Sequence, residues 1–232
     1  MNSVVKRWAG LAIVIILVPL LAGCENPFID SWSGQTVDDA LITFEGETYD
    51  LISLQKMNPP PGNYDVIVGS PEHHFIETTV PLGSRDIPKI ELTPYLRVYS
   101  PFVTEAFLCS FLNAHKHAAA AKWNYSSEDA HVIAYITWDV KDESYHYQTI
   151  RWYRPDGILY HEENLPRLGR TLGSPITTAP RLSLHQSPGW GVPPPITLPG
   201  IWVVEIIMDK LCTVKMSFEI RDQQDISHSA VH

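Results

Sequence analysis

The chain has 232 residues, of which 44% are hydrophobic and 19% are charged. It is therefore long enough for one large or two small domains, and its composition is that of a folded protein. The net charge is −9, with 26 acidic residues against 17 Lys plus Arg, which argues against nucleic acid as a partner because phosphate binding needs a basic face.

Residues 1–24 have the pattern of a targeting segment. Lys6 and Arg7 precede an apolar stretch that ends at Leu21. A membrane-spanning helix needs about 20 apolar residues, and this stretch is shorter, so it is unlike a permanent span. Because residues 1–23 hold these two cations and no acidic residue, the rest of the chain carries a net charge of −11.

Leu21, Ala22, Gly23 and Cys24 follow one another at the end of the apolar stretch. This quartet resembles a bacterial lipobox, where lipoprotein signal peptides are cleaved. The resemblance implies that residues 1–23 are a signal peptide and that Cys24 carries a diacylglycerol and an N-acyl chain. Several acyl chains hold a protein firmly on a membrane, whereas one gives only marginal affinity. The alternative is an uncleaved anchor with an accidental cysteine.

Lipidation of Cys24 implies a place in the cell envelope, outside the cytoplasmic membrane, where disulfides persist. The next residue is Glu25, and not the aspartate that is the familiar inner-membrane retention signal of enteric bacteria. The sequence therefore favours the outer membrane, facing the periplasm or the surface, over the inner membrane. Apart from the lipid on Cys24, no cofactor is expected.

The first folded region is predicted to be a small β-sandwich at residues 38–94, after a lipidated tether at residues 24–37. The tether is polar and rich in turn-forming residues. In the sandwich region Tyr64, Val66 and Val68 alternate with residues of the opposite face, as in a strand. No helical period appears there.

Three short segments mark this region, and they are Pro61-Gly62-Asn63-Tyr64-Asp65-Val66, Gly83 and Ile90-Glu91-Leu92-Thr93. With the apolar strand between them, they resemble the PEGA-type β-sandwich repeat of bacterial surface proteins. The resemblance covers about a quarter of the chain. It implies a structural module without catalytic residues.

Residues 95–222 are predicted to form a second antiparallel β-sandwich, followed by a disordered tail at residues 223–232. The clearest hairpin has Asp209-Lys210 as its two-residue turn. Alternation predicts that one set of residues in its last strand faces inward and the other outward. The inward set is Cys212, Val214, Met216, Phe218 and Ile220, and the outward set is Leu211, Thr213, Lys215, Ser217 and Glu219.

The second region contains Trp152-Tyr153-Arg154-Pro155-Asp156-Gly157, then Pro199-Gly200-Ile201-Trp202, and then Phe218. These segments resemble those of the immunoglobulin-like domains of bacterial envelope proteins. The resemblance covers about half of the chain and implies an immunoglobulin-like β-sandwich. Because the cysteine spacing around Trp152 differs from the antibody pattern, an antibody-style disulfide is not expected.

Cys109 and Cys212 both lie on the apolar phase of predicted strands, one in the first strand of the second region and one in the last. Such strands are often neighbours in a sandwich, so a disulfide between the two is expected in an oxidising compartment. It would stabilise the fold by about 2–5 kcal/mol. The alternative is two separate core thiols that pack as small hydrophobic groups.

The sequence has no motif that demands an enzyme, such as G-x-S-x-G, H-E-x-x-H, a Walker loop or C-x-x-C. Ser53-Leu54-Gln55-Lys56 fits S-x-x-K, but its segment is predicted to be a strand where that chemistry needs a helix. The carboxylates of Glu162-Glu163 lie beside a turn and are expected to be solvated. The protein is therefore predicted to be non-enzymatic, with a hydrolase built from scattered residues as an alternative.

His115 and His117 are the candidate metal ligands, because alternate residues share a face of a strand and two imidazoles can bind one ion. A third ligand would come from His131 or from Glu128-Asp129. The pair His73-His74 is a weaker candidate, since its members would point to opposite faces. The favoured alternative is an exposed polar loop. A metal-binding envelope lipoprotein is thus the second functional hypothesis.

Residues 164–198 are rich in Pro and Gly and place Trp190 between two glycines. Long loops in compact domains are often functional. A tryptophan in a semi-rigid proline frame would stack on a sugar or dock on a protein, with Arg181 and His185 as further binding candidates. The alternative is that residues 181–185 form a connecting strand and Trp190 plugs the end of the sandwich. The favoured function is a lipid-anchored envelope protein with a structural or binding role toward a protein or glycan.

Overall fold

The computed structural model describes residues 26–83, 87–113, 118, 120–140, 145–168 and 175–221, without the side chains of residues 166–168 and 212. The chain forms two compact units. The first holds the described residues up to Ser70 together with Phe75–Leu92, and the second holds Pro71–His74 and the residues from Thr93 onward. Strands dominate both units, which confirms the predicted all-β sandwich class. The predicted signal peptide and C-terminal tail lie outside the described residues.

The elements along the first unit are β1 (Phe28–Asp30), β2 (Leu41–Phe44), β3 (Glu47–Asp50), α1 (Leu51–Met57), β4 (Gly62–Ser70), β5 (His73–Leu82) and β6 (Ile90–Leu92). A four-stranded sheet has the order β3-β2-β4-β5, and β1 pairs in parallel with β6. The parallel pair and the helix lie within a unit for which the sequence predicted an antiparallel β-sandwich and showed no helical period. Among the described residues of the whole chain, no helix is long and apolar enough to cross a membrane.

The core of the first unit lies between the four-stranded sheet, the parallel pair and α1. Val66 and Val68 are buried while Asp65 and Ile67 are exposed, as the alternation predicts. The other buried apolar residues are Phe28, Val37, Ala40, Ile42, Phe44, Leu54, Val80, Leu82, Ile90 and Leu92. Because Phe28 and Val37 fill this core, residues 26–37 belong to the folded unit, and the prediction of a tether there is wrong.

Helix α1 corrects the strand prediction for Ser53-Leu54-Gln55-Lys56. Asp50 caps its N-terminus by accepting a hydrogen bond from the Ser53 N–H at 2.6 Å, and Asn58, with φ 51°, ends it. The helix has only seven residues and one buried side chain, Leu54, so a 3.6-residue period is too short to be read from the sequence. Ser53 and Lys56 are both exposed.

The elements along the second unit are β7 (Leu96–Val98), β8 (Val103–Cys109), β9 (Asn124–Tyr125), β10 (His131–Trp138), β11 (His146–Tyr153), β12 (Leu159–Leu168), β13 (Ile176–Thr178), β14 (Arg181–Ser183), a 3-10 turn (Pro195–Thr197), β15 (Gly200–Met208) and β16 (Leu211–Ile220). In the first sheet β8, β13 and β14 all pair with β10. The second sheet has the order β12-β11-β15-β16-β7, and β9 pairs with β16. We call these the first and second sheets below.

The two sheets enclose one apolar core, in which Trp138, Trp152 and Trp202 are fully buried. Phe218 packs against Trp202 and Trp152, with ring centroids 6.1 and 6.2 Å apart. The residues of β16 that were predicted to face inward and whose side chains are described, Val214, Met216, Phe218 and Ile220, all line this core. Aromatic pairs of this kind add about 0.5–1.5 kcal/mol beyond the area that they bury.

The hairpin of β15 and β16 has the predicted two-residue turn. Asp209 and Lys210 have φ values of 50° and 72°, as a type I′ turn requires. Thr213 and Ser217 were predicted to face solvent, but both are buried. A register shift between Ile206 and Ile207 interrupts the pairing opposite this part of β16, and Thr213 Oγ1 donates to the Ile206 carbonyl at 2.9 Å. This local irregularity lies at Thr213. Ser217 keeps its outward phase and is buried because His74 and the Pro94 carbonyl cover it.

Candidate binding surface

Residues 184–199 connect β14 to β15, and we call them the Trp190 loop. The loop is fixed to the sandwich at several points. The Ile196 N–H donates to the Leu184 carbonyl at 3.0 Å, and Tyr160 Oη donates to the Pro193 carbonyl at 2.9 Å. The apolar side chains of the loop that pack on the core are Val192, Ile196 and Leu198. The loop is therefore an ordered part of the second unit.

The indole of Trp190 stands at the corner of a tight turn. The Val192 N–H donates to the Gly189 carbonyl at 3.3 Å, and Gly191 has φ +77°. A positive φ at the third residue is the mark of a type II turn, which places Trp190 at its second position. Trp190 is fully exposed, and no heavy atom lies within 4 Å of where a Cβ would stand on Gly189 or Gly191. The hypothesis that Trp190 plugs the sandwich is wrong.

Arg181 and His185 lie on the solvent side of the first sheet. Leu182 and Leu184 point into the core, so the intervening residues of β14 and its extension point outward. His185 Nε2 donates to the Asp129 carbonyl at 3.0 Å. The connecting strand is confirmed as β14. Within the described part of the chain, no hydrogen bond or ring contact joins Trp190 to Arg181 or His185, so the three predicted binding residues do not form one cluster.

Cys109 carries a free, buried thiol. It packs with Ile133 and Tyr135 on the outer face of the first sheet, whereas its neighbour Leu108 faces the core. Burial raises the pKa of the thiol, and the Phe111 N–H and the charge of Arg181 lower it by less.

The predicted disulfide between Cys109 and Cys212 is not formed in this structure. β8 and β16 contact each other but belong to different sheets, and Cys109 lies on the outer face of the first sheet, away from the core that β16 lines. The side chain of Cys212 lies outside the described residues. A pocket of about 170 Å³ beside Cys109 is bordered by Phe111 and Lys122 and is smaller than common ligand sites.

The predicted metal ligands His115 and His117 lie outside the described residues, as does Cys24. Of the proposed third ligands, Asp129 accepts hydrogen bonds from Lys122 Nζ at 2.6 Å and from the Ser126 N–H at 2.9 Å. The part of the chain that the structure describes contains no group of three or more His, Cys, Asp or Glu side chains arranged to hold a metal ion.

His74 and Ser217 form a buried Ser–His pair that the sequence analysis missed. His74 Nε2 and Ser217 Oγ are 2.8 Å apart, and Ser217 Oγ donates to the Pro94 carbonyl at 2.6 Å. Since the serine proton is directed to a carbonyl, His74 is the donor in this pair. Activation of a serine nucleophile needs the opposite direction, from hydroxyl to imidazole. The pair therefore acts as a structural bond.

The pKa of His74 is lowered to about 4, mainly by burial and less by the charges of Arg221 and His73, against the opposing effect of the Ser217 hydrogen bond. Tyr95 packs on the imidazole with ring centroids 4.3 Å apart. His73 and His74 are both buried. Alternation alone had placed Ser217 in solvent, which is why no sequence signal pointed to this pair.

No protein-family model matches the chain, and no curated protein matches it in sequence. The Trp190 loop is the feature that most favours recognition, because it exposes a large aromatic side chain on a fixed backbone.

Proposed function

We propose that the protein is a lipid-anchored component of the bacterial cell envelope with a non-enzymatic binding role, and that the Trp190 loop contacts a protein or glycan partner. The observation that carries this proposal is the full exposure of Trp190 at the corner of a turn whose loop is fixed to the core. A single exposed hydrophobic side chain is ordinary on a protein surface. Trp190 differs from the other exposed aromatic residues of the described chain because it is 105% exposed, whereas none of them exceeds 64%.

The free energy gained when a partner buries an aromatic side chain supports the Trp190 loop as the binding surface. A tryptophan side chain buries roughly 150–250 Å² when it is covered by a partner, and its indole N–H also supplies one hydrogen-bond donor. Because the backbone around Trp190 is already ordered by Pro193, Tyr160 and Leu184, little conformational entropy is lost on binding. The flat indole face suits either a sugar ring or an apolar protein patch. The acidity of the chain disfavours nucleic acid.

The anchoring part of the proposal rests on the lipobox-like quartet that ends at Cys24. In this proposal the mature chain begins at Cys24, carries diacylglycerol and an N-acyl chain there, and lies on the outer membrane. The first unit would be PEGA-like and the second immunoglobulin-like, both acting as scaffolds. Their all-β architecture supports this assignment.

The anchor is tested by intact mass spectrometry of the protein extracted from native membranes. The expected mass is that of residues 24–232 plus the lipid. The Cys24→Ser variant is the control and should retain residues 1–23 and carry no lipid. An unmodified full-length mass for the natural chain would overturn the lipid anchor without affecting the binding surface.

The binding surface is tested with a photo-crosslinking residue at position 190 in living cells and with co-sedimentation on purified peptidoglycan. We expect either a discrete crosslinked protein or sedimentation with the glycan, and loss of the latter in Trp190→Ala. Tyr145→Ala is the matched control, because Tyr145 is also an exposed aromatic residue of the second unit. Equal sedimentation of the two alanine variants with peptidoglycan, together with no crosslink at position 190, would overturn the proposal that the Trp190 loop contacts a partner.

A further inference from the structure

The three fully buried tryptophans of the described residues differ in their hydrogen bonding. Trp138 Nε1 donates to Thr178 Oγ1 at 2.9 Å, and Trp202 Nε1 donates to the Leu198 carbonyl at 2.9 Å. Trp152 Nε1 is equally buried and has no hydrogen-bond partner among the described residues. A buried donor that lacks a partner is destabilising, and such groups are rare in folded proteins.

Two more side chains with unpaired polar atoms, Gln148 and Glu163, lie on the same inner face as Trp152. Gln148 is 1% exposed, and both atoms of its side-chain amide lack a partner in the described part of the chain. Gln148, Ile150 and Trp152 all point inward from β11, and Glu163 of β12 lies directly opposite Ile150. Glu163 is thus the diagonal neighbour of both polar residues, at the roughly 7–8 Å that separates such pairs. We call Gln148, Glu163 and Trp152 the polar row.

Glu163 is half-buried, which corrects the prediction that both carboxylates of Glu162-Glu163 are solvated. Glu162 is exposed and accepts a hydrogen bond from Arg151 at 2.7 Å, whereas Glu163 Oε1 is buried and unpaired within the described residues. Burial raises the pKa of Glu163, and the charge of His161 and the nearby indole of Trp152 lower it by less. The indole and the carboxylate are near each other without forming a hydrogen bond of normal geometry.

The chemistry of the polar row selects its occupant. It offers N–H donors from Gln148 and Trp152 and oxygen acceptors from Gln148 and Glu163. A cation would face the N–H donors, and an anion would face the Glu163 carboxylate. A water molecule donates two hydrogen bonds through its O–H groups and accepts two at its oxygen, so it suits a mixed set of this kind.

The position of the row also favours water. β12 is an edge strand of the second sheet, so the row lies beside the open side of the sandwich and not at its centre. We propose that the polar row binds ordered water molecules that bridge the side chains of Gln148, Glu163 and Trp152. The sandwich core then has a hydrated margin along β12, while the indoles of Trp138 and Trp202 are satisfied by protein atoms alone.

The direct test is nuclear magnetic resonance of the tryptophan indole protons in water. The Trp152 indole proton should show a cross-relaxation peak to a long-lived water molecule. The indole protons of Trp138 and Trp202 are internal controls that should show none, because their acceptors are protein oxygens. Absence of the peak at Trp152 would overturn the proposal.

A second test uses the sign of a change in thermal stability. In Gln148→Leu the side chain keeps a similar size and loses its polar atoms. If the row is hydrated, this variant removes a partner of the bound water, lowers the unfolding midpoint by several degrees and weakens the Trp152 water peak. If the row is dry, it removes an unpaired buried amide and raises the midpoint, which would overturn the proposal. Gln186→Leu, at an exposed position, is the matched control and should leave the midpoint unchanged.

Discussion

The core of the second unit and the Trp190 loop use the same residue type in opposite ways. Trp138 and Trp202 are fully buried and donate their indole N–H groups to internal oxygens, whereas Trp190 is fully exposed on a turn. Both regions have an ordered backbone. The burial and hydrogen bonds of Trp138 and Trp202 are explained by the stability that they give the fold. The exposure of Trp190 on a fixed loop is not explained in this way.

This comparison separates residues that build the sandwich from residues that are available to a partner. Arg181 on β14 and His185 at the start of the Trp190 loop are exposed, but no hydrogen bond or ring contact among the described residues joins either of them to Trp190. Cys109, which the sequence had made a candidate for a disulfide, belongs instead to a small apolar cluster with Ile133 and Tyr135. The Trp190 loop is therefore the surface on which the functional proposal rests.

The largest expected effect contrasts a core tryptophan with the loop tryptophan. Trp202→Ala should lower the free energy of unfolding by about 3–5 kcal/mol, because it leaves a large cavity beside Phe218. Trp190→Ala should change it by no more than about 0.5 kcal/mol, as expected for a side chain without contacts to the core. Urea unfolding followed by circular dichroism measures both, and Trp202→Phe serves if the alanine variant does not fold. A loss above about 1 kcal/mol in Trp190→Ala would show that the loop tryptophan supports the fold.

The next effect concerns pH and the buried His74. Its pKa is about 4 in the folded protein against about 6.5 when unfolded, so the unfolded chain binds more protons between these values. Stability should therefore be fully present above about pH 6.5 and fall by about 3 kcal/mol as the pH drops to about 4. In His74→Gln, the free energy of unfolding measured across this pH range should no longer fall in this way as the pH drops. Ser217→Ala, which keeps the imidazole, is the control and should be less stable at every pH yet retain a slope.

The smallest expected effect concerns the Cys109 thiol, whose peptide should gain no mass from an alkylating reagent while the protein is folded. If Cys109 is a free thiol, peptide mapping after alkylation should find it unmodified in the folded protein and fully modified after unfolding without a reductant. Its burial and raised pKa both oppose reaction in the native state. Recovery of a linked peptide containing Cys109 and Cys212 before reduction would contradict the structure and restore the disulfide hypothesis.

Much of the fold follows from alternation and turn chemistry in the sequence. The inward face of β16 and the Asp209-Lys210 turn were predictable, since period-two patterns report burial directly and the turn follows from the two-residue connection. Helix α1 and strand β1 were missed because elements of seven and three residues are too short to show a period. Alternation did not show which face of β8 meets the core, so Cys109 was assigned to the apolar phase, whereas Leu108 faces the core and Cys109 lies on the outer face.

The site was less predictable than the fold. The composition around Trp190 identified the loop, but its exposure depends on a turn whose geometry only the structure gives. Gln148 shares the period-two phase of Ile150 and Trp152 on β11. Glu163 had no such signal, because only its register opposite Ile150 places it on the inner face. The Ser217 contact with His74 joins residues 143 positions apart, which no local pattern reveals.

The central claim is that a partner in the envelope covers Trp190, and radical footprinting tests it most directly. Oxidation of each tryptophan would be compared between the purified protein and the protein in native membranes. We expect Trp190 to be oxidised rapidly in the purified protein and to be protected in the membranes, while buried Trp138 stays unoxidised in both and confirms that the fold is intact. Equal oxidation of Trp190 in the two preparations would contradict the claim.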